Sequence, residues 1–256
     1  MPRVPWFKPR PIPAEACKKF QKQIPEVRHF RFTGRFIYNI RVTQMGLGGA
    51  MSDVTALFWD VGGVILSNGW DRASRAAAAR KFGLDWDEFQ DRHELASPAF
   101  ETGRITLDTY LQRTVFYRKR SFTREEFTDF IFAQSSELPA SRAVLADVAA
   151  TGKYLQATIN NEPLEINERR IHQFNLRREF KAFFSSCYLG VRKPEEGIYK
   201  LALEVTQRDP DECLFIDDRE LNLECARQLR MRTIHFQDAA QLRRDLAASG
   251  VSIPEN

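Results

Sequence analysis

Apolar residues change their spacing along the chain at about Met51. Beyond it, short apolar runs that suit buried strands alternate with longer stretches whose apolar residues recur at the helical period. ALFW leads into Asp60 and the glycine pair of DVGGVIL, a strand running into a loop. Four helical stretches follow without an intervening strand: DRASRAAAARKFG, DWDEFQDRHELA, TLDTYLQRTVFYRKR and TREEFTDFIFAQ. Turn signals separate them at Gly83-Leu84, Ser97-Pro98 and Glu101 to Thr106, and Asp or Thr at several starts suits an N-cap. SRAVLADVAATG then predicts a helix stopped at Gly152, with a strand from Tyr154 to Ile159. The alternation continues with ERRIHQFNL (helix), FKAFFSSCYLG (strand), VRKPEEGIYKLALEVTQ (helix) and DECLFIDD (strand). ELNLECARQLRM (helix), RTIHFQD (strand) and DAAQLRRDLAASG (helix) complete it.

Strands alternating with helices predict an α/β fold, a Rossmann-like parallel sheet with helices on both faces. The helical block after the first strand breaks the alternation and reads as an inserted α-helical cap. The organisation expected is a basic extension over 1–50, an α/β core from 51–70 and 135–256, and a cap over 71–134.

Composition sharpens that boundary. The chain of 256 residues has a net charge of +4, but residues 1–50 hold ten Lys/Arg against two Glu. The remainder is therefore acidic overall, and half of the twelve prolines fall before residue 26. Three readings suit the basic segment: a targeting peptide, an arm that binds nucleic acid or a membrane surface through RHFRFTGRFIYNIR, or a disordered extension ahead of a start at Met45 or Met51. No segment approaches the roughly 18–20 uninterrupted apolar residues of a membrane span. Four scattered cysteines, Cys17, Cys187, Cys213 and Cys225, form no CxxC pair. They fit a reducing, cytoplasmic setting and argue against a zinc site or a disulfide framework.

Ligands of open parallel sheets bind beyond the carboxyl ends of the strands. There the chain places Asp60, then Asn160-Asn161, then Lys193, then Asp217-Asp218. Each residue alone suits a cap or a solvated surface. Adjacent acids at a strand end, however, repel each other unless a cation is present, and oxygen donors suit Mg²⁺.

In order and context these four motifs resemble the haloacid dehalogenase (HAD) superfamily of aspartate-nucleophile hydrolases, over residues from about 54 to 245. WDVGGVIL is similar to its first motif, ATINNE to its second, VRKPEEGIYKLAL to its third and FIDDRELNLECARQL to its fourth. The cap falls where a helical-cap, phosphatase-like branch inserts one, and ETGRIT resembles a turn in such caps. The resemblance implies that Asp60 is the nucleophile and forms an aspartyl-phosphate. Lys193 would hold Asp60 and the phosphoryl oxygens, and Asn160 and Asn161 would contact the phosphate. Asp218, supported by Asp217, would bind Mg²⁺ together with Asp60 and the backbone carbonyl of Gly62.

Two positions depart from the pattern. Asn160 aligns with a Ser/Thr position, for which Thr158 is the alternative. Gly62 replaces the second aspartate, the group that protonates the leaving group and later activates water. Glycine keeps the carbonyl and loses the proton transfer. His93, Glu101 and Tyr117 of the cap are candidates for that proton by residue type, and Arg118-Lys119-Arg120 is either a contact for an anionic substrate or a solvated helix end.

The function expected from the resemblance is therefore Mg²⁺-dependent hydrolysis of a small phosphorylated metabolite, with the cap choosing the substrate. Two alternatives stay open: a catalytically weak protein that binds a phosphorylated ligand or partner, favoured by Gly62 and Asn160, and a 2-haloacid dehalogenase, which needs no second aspartate. The retained pair Asp217-Asp218 favours phosphate over halide.

Overall fold

A computed structural model describes residues 52–254. The basic segment 1–50, with its three readings, and Cys17 lie outside the described residues. Five strands form one sheet: β1 (Ala56–Trp59), β2 (Leu155–Asn160), β3 (Ala182–Ser185), β4 (Cys213–Asp217) and β5 (Arg232–His235). Their order is β3-β2-β1-β4-β5 and every pairing is parallel. All residues of β1 and β4 are buried, as strands covered on both faces must be, which is why ALFW and CLFI read as continuous apolar runs.

Four helices lie between β1 and β2: α1 (Arg72–Phe82), α2 (Trp86–Glu101), α3 (Leu107–Thr114) and α4 (Arg124–Phe132). After them come α5 (Pro139–Ala150), α6 (Leu164–Gln173), the single turn α7 (Ser186–Leu189), α8 (Glu196–Thr206), α9 (Glu220–Gln228) and α10 (Ala239–Ala248). Val144, Leu145 and Val148 of α5 pack with Leu242 and Leu246 of α10 on one face of the sheet. Ile198, Tyr199 and Ala202 of α8 pack with Leu223 and Ala226 of α9 on the other. Helices α1–α4 bury a core of their own, centred on Phe127, whose ring lies 4.8 Å from that of Phe82. Ile166 of α6 joins that cluster from the α/β side.

Several helix ends follow the sequence closely. Asp71 and Asp85 accept from the backbone N–H groups of Ser74 and Glu88, and Thr123 with Glu126 forms a capping box. Other boundaries differ. The expected turn at Ser97-Pro98 is absent, since α2 runs through Pro98 to Glu101. Proline lacks the N–H that would bond the Glu94 carbonyl, and Glu94 lies on the exposed side of the helix. The helix expected over TLDTYLQRTVFYRKR ends at Thr114, where the Arg120 Nε takes up the free carbonyl of Val115 at 2.8 Å. The second strand runs one residue further, to Asn160, and SCYL folds into α7 rather than extending β3.

Candidate active site

The chain fills one side of the sheet with β2 and β3, then crosses back to place β4 on the other side of β1. The change of direction opens a crevice between β1 and β4 at the strands' carboxyl ends. Trp59 pairs with Ile216, so the next residues, Asp60 and Asp217, stand level at the edge of this crevice.

Lys193 closes the pair from the loop before α8. Its Nζ lies 2.8 Å from Asp60 Oδ1 and 2.7 Å from Asp217 Oδ2. Asp217 is fully buried and both its oxygens are taken by protein donors, the Arg219 N–H and the Asn222 amide as well as Lys193. Asp218 differs: its Oδ1 is buried without a hydrogen-bond partner. Asp60, Asp217 and Asp218 each bring one oxygen within 4.8 Å of the others. A trio of hard oxygen donors with one oxygen unpartnered fits a small divalent cation.

Electrostatics follow from burial. Burial pushes the Asp60 carboxyl up to about 7, opposed by the Lys193 ammonium and reinforced by Asp217. Burial alone would lower Lys193, but the two carboxylates outweigh it and hold the ammonium above its usual range. Burial and the neighbouring Asp217 raise Asp218. The lysine thus faces more negative charge than it can balance.

The loop after Asp60 is shaped by a close approach. Gly63 has φ +78°, and a Cβ there would collide with Asp218 Oδ2 and sit 2.9 Å from its Cγ. Only glycine lets the first and fourth motifs meet so closely. Gly62 has ordinary φ; a Cβ there would point at Asn68 Oδ1, 3.0 Å away, and at Arg170 Nη1, 3.8 Å away.

Above these residues lies a cavity of about 350 Å³, bounded below by Asp60, Gly62, Asn161 and Lys193 and above by His93 and Glu101 of α2. Ser186 Oγ donates to the Glu101 carbonyl at 2.6 Å, and Arg192 Nη1 pairs with Glu101 Oε2 at 2.6 Å. Gly103 comes so close to the Cys187 carbonyl that a Cβ would overlap it. These contacts hold α2 down over the cavity.

The other expected residues are distributed unevenly. Asn161 lines the cavity, and its amide forms two bonds with the Lys193 backbone, both 2.8 Å, so it positions the lysine. Asn160 lies behind the cavity wall, fully buried, with its amide bonded to Thr158, Asn167 and Ser185. Tyr117 is outside the cavity, beneath the Arg92 guanidinium, 3.4 Å from its centroid. Arg118 and Lys119 are exposed, and Arg118 pairs with Glu88. His93 accepts or donates at Tyr110 OH, 2.9 Å away, while burial and the nearby Arg75 lower its pKa to about 3.

Glu162, Arg170, Arg192 and Asn68 also border the site without having been anticipated. Glu162 directly follows INN, so proximity to the second motif was a usable signal. Arg170 sits inside α6 and gave none.

Three comparisons place this architecture among known proteins. The haloacid dehalogenase-like hydrolase family model matches residues 54–230. A chloroplast protein of Arabidopsis thaliana named flavin mononucleotide hydrolase 1 is 28% identical over 173 residues, 67% of this chain and 69% of that protein. Among solved structures, a HAD family enzyme of Bacteroides thetaiotaomicron in complex with magnesium and inorganic phosphate shares the fold. It has a TM-score of 0.60 and 21% identity, covering 74% of this chain and 98% of that one. An L-2-haloacid dehalogenase also shares the fold, with a TM-score of 0.55 and 18% identity over 76% of this chain and 99% of that one.

Proposed function

The chain belongs to the haloacid dehalogenase-like hydrolases, and from that premise we propose that it is a Mg²⁺-dependent phosphatase acting on a small phosphomonoester. The observation that carries the proposal is Lys193 bridging Asp60 and Asp217 while Asp218 presents an unpartnered oxygen to the same space. Asp60 is the nucleophile: one carboxylate oxygen attacks phosphorus and the ester P–O bond breaks, leaving an aspartyl-phosphate. Lys193 orients Asp60 and neutralises the transferring oxygens, and Asn161 fixes the lysine. Asn160 braces the end of β2 from behind. Asp60, Asp218 and the Gly62 carbonyl would hold Mg²⁺, with Asp217 aligning Lys193. Bound there, the ion supplies charge neutralisation between an anionic nucleophile and an anionic substrate.

We take residues 71–134 as the cap over a core of 51–70 and 135–256. Helix α2 excludes water from the cavity, and its Glu101 together with Arg192 of the loop before α8 faces the part of the substrate beyond its phosphate. Among the described residues no helix is long and apolar enough to cross a membrane. The free thiols of Cys187, Cys213 and Cys225 fit the reducing, cytoplasmic setting that we propose.

The magnesium- and phosphate-bound relative supports phosphate as the group that the site handles, and the flavin mononucleotide hydrolase supports a phosphomonoester. Dehalogenation is disfavoured because it has no use for three converging carboxylates. The test is phosphate release from a panel of phosphorylated metabolites with and without Mg²⁺. The proposal expects Mg²⁺-dependent turnover of at least one monoester. Chloride release from a 2-haloacid in chelator would replace it with the dehalogenase reading, and Mg²⁺-dependent binding without turnover with the ligand-binding one.

A further inference from the structure

Gly62 leaves the reaction without the carboxyl that protonates the departing oxygen, yet the cavity holds other acids. Glu101 is occupied by Arg192, and Asp71 by the N–H of Ser74 as the N-cap of α1. His93 is neutral and hydrogen-bonded to Tyr110. Glu162 is different. Its side chain is nine-tenths buried yet borders the cavity, Oε1 pairs with Arg170 Nη1, and Oε2 is buried without any partner.

Its location matters as much as its free oxygen. A side chain at position 62 would point at Arg170 Nη1, and that same nitrogen holds Glu162 Oε1. Arg170 is pinned in turn by its Nη2, which donates to the Ser67 carbonyl at 2.7 Å. The Glu162 carboxyl is therefore two contacts from the place that a carboxyl on residue 62 would take. It arrives from the end of β2 rather than from the loop after β1.

We propose that Glu162 is the catalytic acid and base of this enzyme, replacing in space the carboxyl that Gly62 lacks. The proposal rests on the phosphatase reading. In the first step Asp60 forms the new P–O bond while the ester P–O bond breaks, and protonated Glu162 gives its proton to the departing alkoxide. In the second, the Glu162 carboxylate takes a proton from the water that attacks phosphorus, so Asp60, inorganic phosphate and protonated Glu162 are regenerated. Burial supports the protonated form that the first step needs: it raises the Glu162 pKa, Glu101 adds to that, and Arg170 and Lys193 oppose it. The partnership with Arg170 keeps the carboxyl oriented, and Oε2 carries no competing hydrogen bond.

The test separates acid catalysis from packing by the leaving group. With p-nitrophenyl phosphate, whose phenolate leaves without a proton, Glu162→Gln should keep the initial nitrophenolate burst within about fivefold of wild type. With an alkyl phosphate, whose leaving group needs the proton, turnover should fall by about 10²–10³-fold. Gly62→Asp placed in the Glu162→Gln background should recover most of the alkyl activity, since its Cβ is crowded only by the movable end of Asn68 at 3.0 Å, Arg170 Nη1 lying at an ordinary 3.8 Å. An equal loss on both substrates, or no loss on either, would overturn the proposal and leave Glu162 a structural partner of Arg170. If wild type hydrolyses neither ester in Mg²⁺, the phosphatase reading fails and takes the proposal with it. Thermal melting of each variant distinguishes a misfolded protein.

Discussion

Replacing Lys193 by methionine removes a charge while keeping its length and most of its volume. In the native site the ammonium lies 2.8 Å from Asp60 and 2.7 Å from Asp217, with all three side chains buried. At an effective dielectric near 20, each contact is a gross attraction of about 6 kcal/mol, most of it offset by desolvation. Deleting one partner of a buried pair costs about 3–5 kcal/mol, because the remaining carboxylates keep their burial and lose their counter-charge. The loss should depend on pH. Asp60 titrates at about 7 in the folded protein, above the ordinary carboxylate value near 3.9, so the folded state binds the extra proton between those limits. Metal-free stability therefore falls as pH rises through that window, and it should fall more steeply in Lys193→Met, where no ammonium opposes the shift. Urea unfolding in chelator is the assay, run at about pH 5 and about pH 8 on both proteins. The deficit should be larger at the higher pH. A deficit under about 1 kcal/mol, or one independent of pH, would refute the view that Lys193 balances two buried carboxylates.

Other changes follow from the same geometry. Gly63→Ala combines a left-handed backbone with a Cβ against Asp218, so it should cost about 1–3 kcal/mol in unfolding experiments and weaken Mg²⁺ binding by calorimetry. Arg192→Gln should raise KM more than it lowers kcat, with a melting temperature near wild type, because the Arg192–Glu101 pair is partly exposed and faces the cavity rather than the nucleophile. His93→Asn should leave the shape of the pH–rate profile between about pH 6 and 8 unchanged, since the imidazole is neutral throughout that range.

The parts of this architecture that were readable in advance are those written locally. Each buried strand is a short apolar run, and several helix starts carry their own Asp or Thr cap, so the alternation and the helical block could be read residue by residue. Asp60 and Asp217 were legible because a charge at the end of an apolar strand is locally conspicuous, and Lys193 through the motif VRKPEEGIYKLAL that carries it. What local pattern does not encode is which face a side chain takes. Asn160 and Asn161 are neighbours of one residue type, yet strand alternation buries the first and turns the second to the cavity. Pro98 looked like a stop, yet the helix runs through it on its exposed side, which local pattern does not show. Glu162 and Arg170 sit eight positions apart across a loop and a helix, and only folding brings the two charges together beside Gly62.

The central claim is that Asp60 carries the phosphoryl group. Rapid acid quenching of the enzyme turning over a phosphomonoester in Mg²⁺, followed by peptide mapping, measures this directly. The account predicts an acyl phosphate on Asp60 in wild type and none in Asp60→Asn, whose turnover is abolished. Turnover that survives Asp60→Asn, or a phosphoryl group mapped to any other residue, would contradict it.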